Sequence, residues 1–301
     1  MKNTIEMADE LNIEKYIYST REKVDSHLKR ILGQGKSGID KAMRYAVLNG
    51  GKRLRPILLI ATYQALGGSL DRRIVNISAS IEFIHAFSLI QDDLPALDDD
   101  DFRRGLPTTH KAFGEDVAIL ASDLLLNQAY AVIAKEPSLN PELKIGILLE
   151  LSTAVKDLIE GQGKDLGLCK EKKITLDTLN KINTGKTAAL LVACVKIAGR
   201  VRKVSPKELG NLRSFGEKLG LAYQIVDDVL NVTSDKKMFQ GKRFSDRQKG
   251  KKTYVTVVGI KRSEEIAGSL IARARKDLSK VKNLDTTILF ELSSFLMNRR
   301  Y

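Results

Sequence analysis

Apolar residues recur three and four apart near 73–94, 111–134, 142–168, 207–233 and 264–280, whereas alternation with a period of two is scarce. That spacing puts the apolar side chains of each segment on one face of an α-helix, so the pattern predicts an all-α fold. The six prolines are Pro56, Pro95, Pro107, Pro137, Pro141 and Pro206, and the absence of any after Pro206 leaves room for long helices. Breaks fall where turn chemistry predicts them, at Leu66-Gly67-Gly68-Ser69, at Glu136-Pro137-Ser138-Leu139-Asn140-Pro141 and at Val204-Ser205-Pro206. Ser205 is expected to cap a helix that opens at Pro206. None of these breaks reads as an interdomain linker and no internal repeat is visible, which predicts a single bundle-like domain over residues 1–301.

Composition supports a globular chain, with 43% hydrophobic and 29% charged residues over 301 positions. Cys169 and Cys194 are the only cysteines, too few for a disulfide framework or a Cys-rich zinc module, and they fit a reducing compartment. The N-terminal stretch alternates charged and apolar residues, and no uninterrupted apolar run approaches the ~20 residues of a membrane span, so a soluble, cytoplasmic protein without stable membrane insertion is expected. Charge is the unusual quantity: 50 Lys and Arg against 37 Asp and Glu give a net +13. Such a surplus suits nucleic acid, an anionic membrane surface or a small anionic substrate. Only 6% aromatic residues, no Trp and no recognisable binding motif weigh against nucleic acid.

The segment from Ile84 to Asp101 carries the most chemistry. An apolar helix runs into Asp92 and Asp93, and Pro95 disfavours helix at Leu94, so both aspartates are expected in the last turn. Asp98, Asp99, Asp100 and Asp101 follow, making six carboxylates within ten residues that repel one another unless cations neutralise them. Oxygen donors without a Cys or His cluster point to Mg²⁺ or a similar hard ion. His85 lies two turns before Asp92 on the same stripe, and the cation pair Arg103-Arg104 suits phosphate groups. Alone, this segment also reads as a solvated acidic loop. A second pair, Asp227-Asp228, changes the weighing, because it sits inside the apolar run from Leu221 to Leu230, with Gln224 and Asn231 one turn to either side of Asp227.

The basic complement is Lys52 and Arg55 beside Pro56 at a helix start, where amides and the dipole favour an anion. Thr184-Gly185-Lys186-Thr187 is not a P-loop, since the required earlier glycine is Asn180; Gly35-Lys36-Ser37 fails likewise with Arg30. Lys186, in an otherwise apolar run, needs an anionic partner.

Taken in order, Gly50-Gly51-Lys52-Arg53-Leu54-Arg55-Pro56, Asp92-Asp93-Leu94-Pro95-Ala96-Leu97-Asp98 with Arg103-Arg104-Gly105, Gln162 with Asp165, Gly185-Lys186-Thr187, and Gln224-Ile225-Val226-Asp227-Asp228 resemble the trans-isoprenyl diphosphate synthases. The spacing within 94–108 resembles the bacterial enzymes that make farnesyl diphosphate. The resemblance implies an isoprenoid-synthase helical bundle around a deep central cavity, assembled as a homodimer. It implies head-to-tail condensation of isopentenyl diphosphate with dimethylallyl and then geranyl diphosphate, with three Mg²⁺ ions held by Asp92, Asp98 and Asp227. By resemblance, Arg103, Lys186, Lys242 and Lys251 grip the allylic diphosphate, and Lys52, Arg55, His85 and Arg104 hold isopentenyl diphosphate. The Thr187 and Gln224 oxygens and the Lys186 carbonyl would face the allylic cation. Phe87 and Ser88, five and four residues before Asp92, would set product length, Phe87 standing about 7.5 Å along the helix axis from Asp92; on pattern alone, Phe87 with Phe83 is ordinary core.

Four departures from the family pattern bear on activity: Asn231 in place of a third Asp, a loop Gly241–Asp246 one residue short, Val255 in place of Pro and Gln91 in place of His. They lead to the expectation of a raised Mg²⁺ requirement. The basic stretch around 235–252, with eight Lys and Arg against two Asp, is by resemblance a flap over the allylic diphosphate. The alternatives are a geranyl or geranylgeranyl diphosphate synthase, an aspartate-rich terpene cyclase, a catalytically impaired homologue acting as a partner subunit, and a basic nucleic-acid-binding protein.

Overall fold

The computed structural model describes residues 12–167, 174–233 and 252–298. The elements are α1 (Ile13–Leu32), α2 (Gly38–Leu48), α3 (Leu54–Ala65), α4 (Arg72–Asp93), β1 (Phe102–Arg103), β2 (Leu106–Pro107), α5 (Thr109–Phe113), α6 (Glu115–Ala134), α7 (Pro141–Asp165), α8 (Leu176–Asn183), a π-helical turn (Thr184–Ala188), α9 (Ala189–Val201), α10 (Pro206–Thr233), α11 (Tyr254–Val258), α12 (Ile260–Leu278) and α13 (Thr287–Asn298). The all-α expectation holds; the only sheet among the described residues is the antiparallel β1–β2 hairpin, in which Arg103 pairs with Leu106.

Helix ends follow local chemistry. Ser205 accepts the Glu208 N–H at 3.3 Å while the Glu208 carboxylate accepts the Ser205 N–H at 2.9 Å, a reciprocal cap on α10. The apolar pattern over 111–134 is divided, because Gly114 takes φ +94° and separates α5 from α6. The pattern over 142–168 stops as helix at Asp165. Residues 184–188 wind as a π-turn, which an apolar spacing of three and four does not reveal.

The core is one contiguous apolar cluster around α4, which is buried along most of its length and packs against α3, α6 and α9. Arg53, in left-handed backbone conformation at φ 50°, locks the segment before α3 into place. Its guanidinium donates to Asp25 of α1, to Glu82 of α4 and to the Val47 carbonyl of α2, each at 2.6 Å. Burial of this cation is tolerable because its charge is paired and its donors are matched.

Contrary to the expectation that no run reaches spanning length, Arg72–Asp93 and Glu115–Ala134 are each long and apolar enough to cross a membrane by length and composition alone. The apolar window of α4 is 72% buried in the core, whereas that of α6 is 33% buried. Ile119, Leu120 and Leu124 of α6 and Ile145 and Leu149 of α7 lie exposed on the outside.

Candidate active site

The C-terminus of α4 separates its two aspartates. Consecutive helical residues point about 100° apart, so Asp92 faces a cavity while Asp93, 3% exposed, turns into the protein. Arg103 grips Asp93 with two donors, Nε to Oδ2 at 2.6 Å and Nη2 to Oδ1. Burial disfavours the charged guanidinium, but pairing with Asp93, helped by Asp92 and Asp100, outweighs it and raises its pKa. After Leu94 turns extended, the Asp98 N–H donates to the Asp92 carbonyl at 2.9 Å and the Asp100 N–H to the Asp93 carbonyl at 3.2 Å. These bonds satisfy the helix end and fold Asp98 back beside Asp92.

The hairpin supplies the two arginines. Arg104 and Gly105 form its two-residue turn with φ 56° and 78°, the positive pair of a type I′ turn. The Arg104 Nη1 donates to the Gly50 carbonyl, and its guanidinium lies so close to Gly51 that a Cβ there would stand 2.8 Å from Nη1. This contact joins the Gly50-Gly51 turn to the acidic segment. The neighbouring Arg55 donates through Nη1 to His85 Nε2 at 3.3 Å. Burial, then the positive charges of Arg55, Arg104, Arg103 and Arg53, hold the His85 pKa well below its ordinary value, so the imidazole is neutral and accepts.

Opposite stands the π-turn. The backbones of α7 and the π-turn touch at Gly161, where a Cβ would lie 2.3 Å from the Lys186 nitrogen. Lys186 finds the anionic partner its setting demands, Nζ donating to Asp165 Oδ2 at 2.6 Å. A chain of hydrogen bonds then runs through α10: the Thr187 hydroxyl donates to Gln224 Oε1 at 3.0 Å, Gln224 Nε2 donates to Asp228 Oδ1 at 2.9 Å, and Asp228 Oδ2 accepts the Tyr254 N–H at 2.9 Å. Asp228 is buried, whereas Asp227 beside it is half-buried.

A cavity of about 100 Å³ opens between these walls. Arg55, His85, Ser88, Asp92, Lys186 and Thr187 are the predicted site residues that line it, together with Gln162, Leu89, Leu158 and Leu190. Arg103 and Arg104 line a smaller neighbouring cavity of about 40 Å³. Gln224 reaches the main cavity through Thr187; Lys52 is exposed, and Asp98 and Asp227 are half-buried outside its lining. Phe87, 6% exposed, packs in the core, while Ser88 faces the space. Lys242 and Lys251 lie outside the described residues, as does the 241–246 loop. Asp93, Asp228, Gln162 and Asp165 received no individual role from the sequence; the motif that joins Gln162 to Asp165 and the Lys186 requirement for an anion were the signals that could have found Asp165.

The donors suit a hard cation. Asp92, Asp98 and Asp227 offer carboxylate oxygens, and His85 is occupied with Arg55. No three acidic, His or Cys side chains among the described residues converge to enclose an ion by themselves. Mg²⁺ ordinarily binds through one or two carboxylates together with substrate phosphates, and the open arrangement fits that mode.

Residues 36–288 match the family model described as polyprenyl synthetase. The farnesyl diphosphate synthase of Escherichia coli is 38% identical over 86% of this chain and 88% of its own length. Geranylgeranyl pyrophosphate synthase 4 of Arabidopsis thaliana is also 38% identical, over 87% of this chain and 71% of its own. Among solved structures, geranylgeranyl pyrophosphate synthetase from Pyrococcus horikoshii superposes with a TM-score of 0.86 at 28% identity, covering 96% of this chain and 100% of that one. An FPP/GFPP synthase from Zymomonas mobilis gives 0.80 at 28% identity, over 95% and 97%. Matched by the family model over residues 36–288 and by relatives of the same all-helical frame over most of its length, the chain belongs to the polyprenyl synthetase family.

Proposed function

We propose that this chain, a prenyltransferase by family, condenses isopentenyl diphosphate with dimethylallyl and then geranyl diphosphate to give farnesyl diphosphate. The observation that carries the reading is the convergence of Asp92, Arg55, His85 and Lys186 on one cavity whose wall also includes Leu89, Leu158 and Leu190 beside Ser88, Gln162 and Thr187. Charged and apolar groups lining one space match a molecule with a diphosphate head and a hydrocarbon tail. In the reaction the allylic C1–O bond breaks with both electrons leaving on diphosphate. The isopentenyl double bond then forms the new C–C bond to C1, and a proton from the isopentenyl unit passes to the released diphosphate. Magnesium held by Asp92, Asp98 and Asp227 would take up charge on the leaving diphosphate as a Lewis acid. Lys186 and Arg103 contribute positive charge to the allylic diphosphate, and Arg55, Arg104 and Lys52 to the isopentenyl one, to which neutral His85 offers only a hydrogen bond. Thr187 and Gln224 turn oxygen toward the cation, and the leucines exclude water that would quench it.

Product length belongs to the same proposal. The cavity of about 100 Å³ is smaller than the apolar cavity of about 150 Å³ that holds benzene, so its lining residues must give way as the hydrocarbon chain grows. Ser88 stands in that lining and Phe87 fills the core beside it. The exposed apolar faces of α6 and α7 favour a homodimer, to be checked by sedimentation.

The test is purified protein with labelled isopentenyl diphosphate and each allylic primer, with Mg²⁺ or with EDTA, followed by chain-length analysis. Fifteen-carbon product with Mg²⁺ and none with EDTA is expected. Consumption of an allylic diphosphate without incorporation of isopentenyl units would mean a terpene cyclase, and no turnover at all would leave the impaired homologue. Phe87→Ala should lengthen the product, and an unchanged distribution would remove Phe87 from the length-setting role.

A further inference from the structure

We propose that Gln162 is a direct substrate contact, its side-chain oxygen facing the allylic carbons that become positive and its amide nitrogen donating to the departing diphosphate; this rests on the condensation proposed above. Gln162 is 7% exposed, and neither its Oε1 nor its Nε2 has a hydrogen-bond partner among the described residues. Its polar neighbours in the cavity wall are engaged within the protein. Arg55 is on His85, Ser88 on the His85 carbonyl, Lys186 on Asp165 and Thr187 on Gln224. A buried primary amide without partners is costly, because water has been stripped from two donors and an acceptor with nothing in exchange. Native proteins seldom keep such a group unless a ligand completes it.

Its place on α7 identifies the ligand atoms. One turn before it stands Leu158 in the apolar wall, and three residues after it stands Asp165, which holds Lys186 at the charged wall. Gln162 therefore sits at the boundary between tail and head, where the C1–O bond of an allylic diphosphate would lie. The backbone contact between Gly161 and the π-turn fixes α7, and with it the Gln162 backbone, against this wall. When C1–O breaks and its electron pair leaves with diphosphate, a carbonyl dipole aimed at the allyl unit stabilises the positive charge, and Nε2–H meets the extra negative charge on the leaving oxygen. Both interactions strengthen in the transition state, and the amide itself forms no covalent bond.

The prediction separates from a packing role because stability and activity move in opposite directions. Gln162→Met, of similar size and without polar atoms, should raise the melting temperature of the unliganded protein by about 2–4 °C and lower kcat by about 10²-fold, as removal of one preorganised donor does elsewhere. The KM for isopentenyl diphosphate should stay within about threefold. With Mg²⁺, a thiolo analogue of the allylic diphosphate that ionises poorly should raise the melting temperature of wild type more than that of the variant. Gln162→Leu should repeat the pattern. A Met variant that melts lower, fails to fold or keeps kcat within threefold of wild type overturns the inference. Wild-type turnover, measured alongside, tests the condensation independently of Gln162.

Discussion

The two aspartate pairs look alike in sequence, and each divides its labour in the same way. Asp92 and Asp227 are half-buried, whereas their successors Asp93 and Asp228 are 3% and 6% exposed and turned into the protein. The partners differ. Asp93 holds a guanidinium, that of Arg103, whereas the partners of Asp228 include two neutral donors, the Gln224 amide and the Tyr254 N–H. The first pair thus fixes a charged side chain of the hairpin, and the second fixes the orientation of an uncharged one. An amide turned by a carboxylate must present its NH₂ to Asp228, which leaves Oε1 toward Thr187 and the cavity. The difference teaches that the second residue of each pair serves as a positioner, with consequences set by the charge of what it positions.

The largest expected effect lies at the charged pair. Asp93→Asn leaves a mostly buried guanidinium without its paired carboxylate, a change that costs up to about 3–5 kcal/mol of stability in buried pairs and less here because Asp92 and Asp100 remain nearby. Chemical denaturation should show it. The double variant Asp93→Asn with Arg103→Met should recover much of that loss while remaining slow in prenyl transfer. A single variant as stable as wild type would break the comparison, because Arg103 would then not depend on Asp93.

At the neutral pair the expected effect is kinetic. Asp228→Asn can still accept from Tyr254 through Oδ1, but its amide then faces the Gln224 amide, and two donors meet. Gln224 must rotate and withdraw its oxygen from Thr187, so kcat should fall about 10²-fold, the order of one misplaced electrostatic group. Adding Gln224→Glu restores the match, since Glu accepts from the new amide and from the Thr187 hydroxyl. Partial rescue of kcat by the double variant supports positioning. No rescue, together with a shifted Mg²⁺ dependence in the single variant, would make Asp228 a metal ligand instead.

This distinction also marks how far the sequence could be read. The helix over 73–94 was legible because its apolar spacing is regular and Pro95 ends it, and Lys186 announced a partner because an apolar run cannot carry a lone ammonium. Which of two adjacent aspartates turns outward depends on the rotation of α4 and α10 against their neighbours, which no local pattern encodes. The π-turn was hidden because five residues wound slightly wider keep a helical apolar pattern. Helix α1 was missed because its face toward the core is small and its sequence is rich in charge. The arginine hairpin, with two residues per strand, is too short to show alternation.

A smaller effect follows from the cations beside the first pair. His85 stays neutral in the fold because burial and then the surrounding arginines lower its pKa well below 6.5, whereas in the unfolded chain it titrates near that value. The unfolded state therefore binds more protons below pH 6.5, and stability falls as pH drops through that value toward the folded pKa, by at most about 1.4 kcal/mol per pH unit for one group. His27, whose pKa is also lowered, chiefly by burial, adds in the same direction. Denaturation between pH 7 and pH 5 should show a shallower loss for His85→Gln than for wild type. Equal slopes would mean that the arginine side of the first pair does not constrain His85.

The smallest effect tests where the second pair ends. Asn231 lies one turn beyond Asp227 on the same face of α10 and is exposed. An amide there offers an oxygen but no charge, so a cation near Asp227 gains less from it than from a carboxylate. Asn231→Asp should lower the half-saturating Mg²⁺ concentration about two- to fivefold at low salt, and less at high salt, because an exposed charge is screened. The stability of the metal-free protein should change little, since Asn231 is solvent-facing. Identical Mg²⁺ titrations for variant and wild type would confine the metal-facing part of the second pair to Asp227, making the contrast with Asp92 and its folded-back companion Asp98 sharper still.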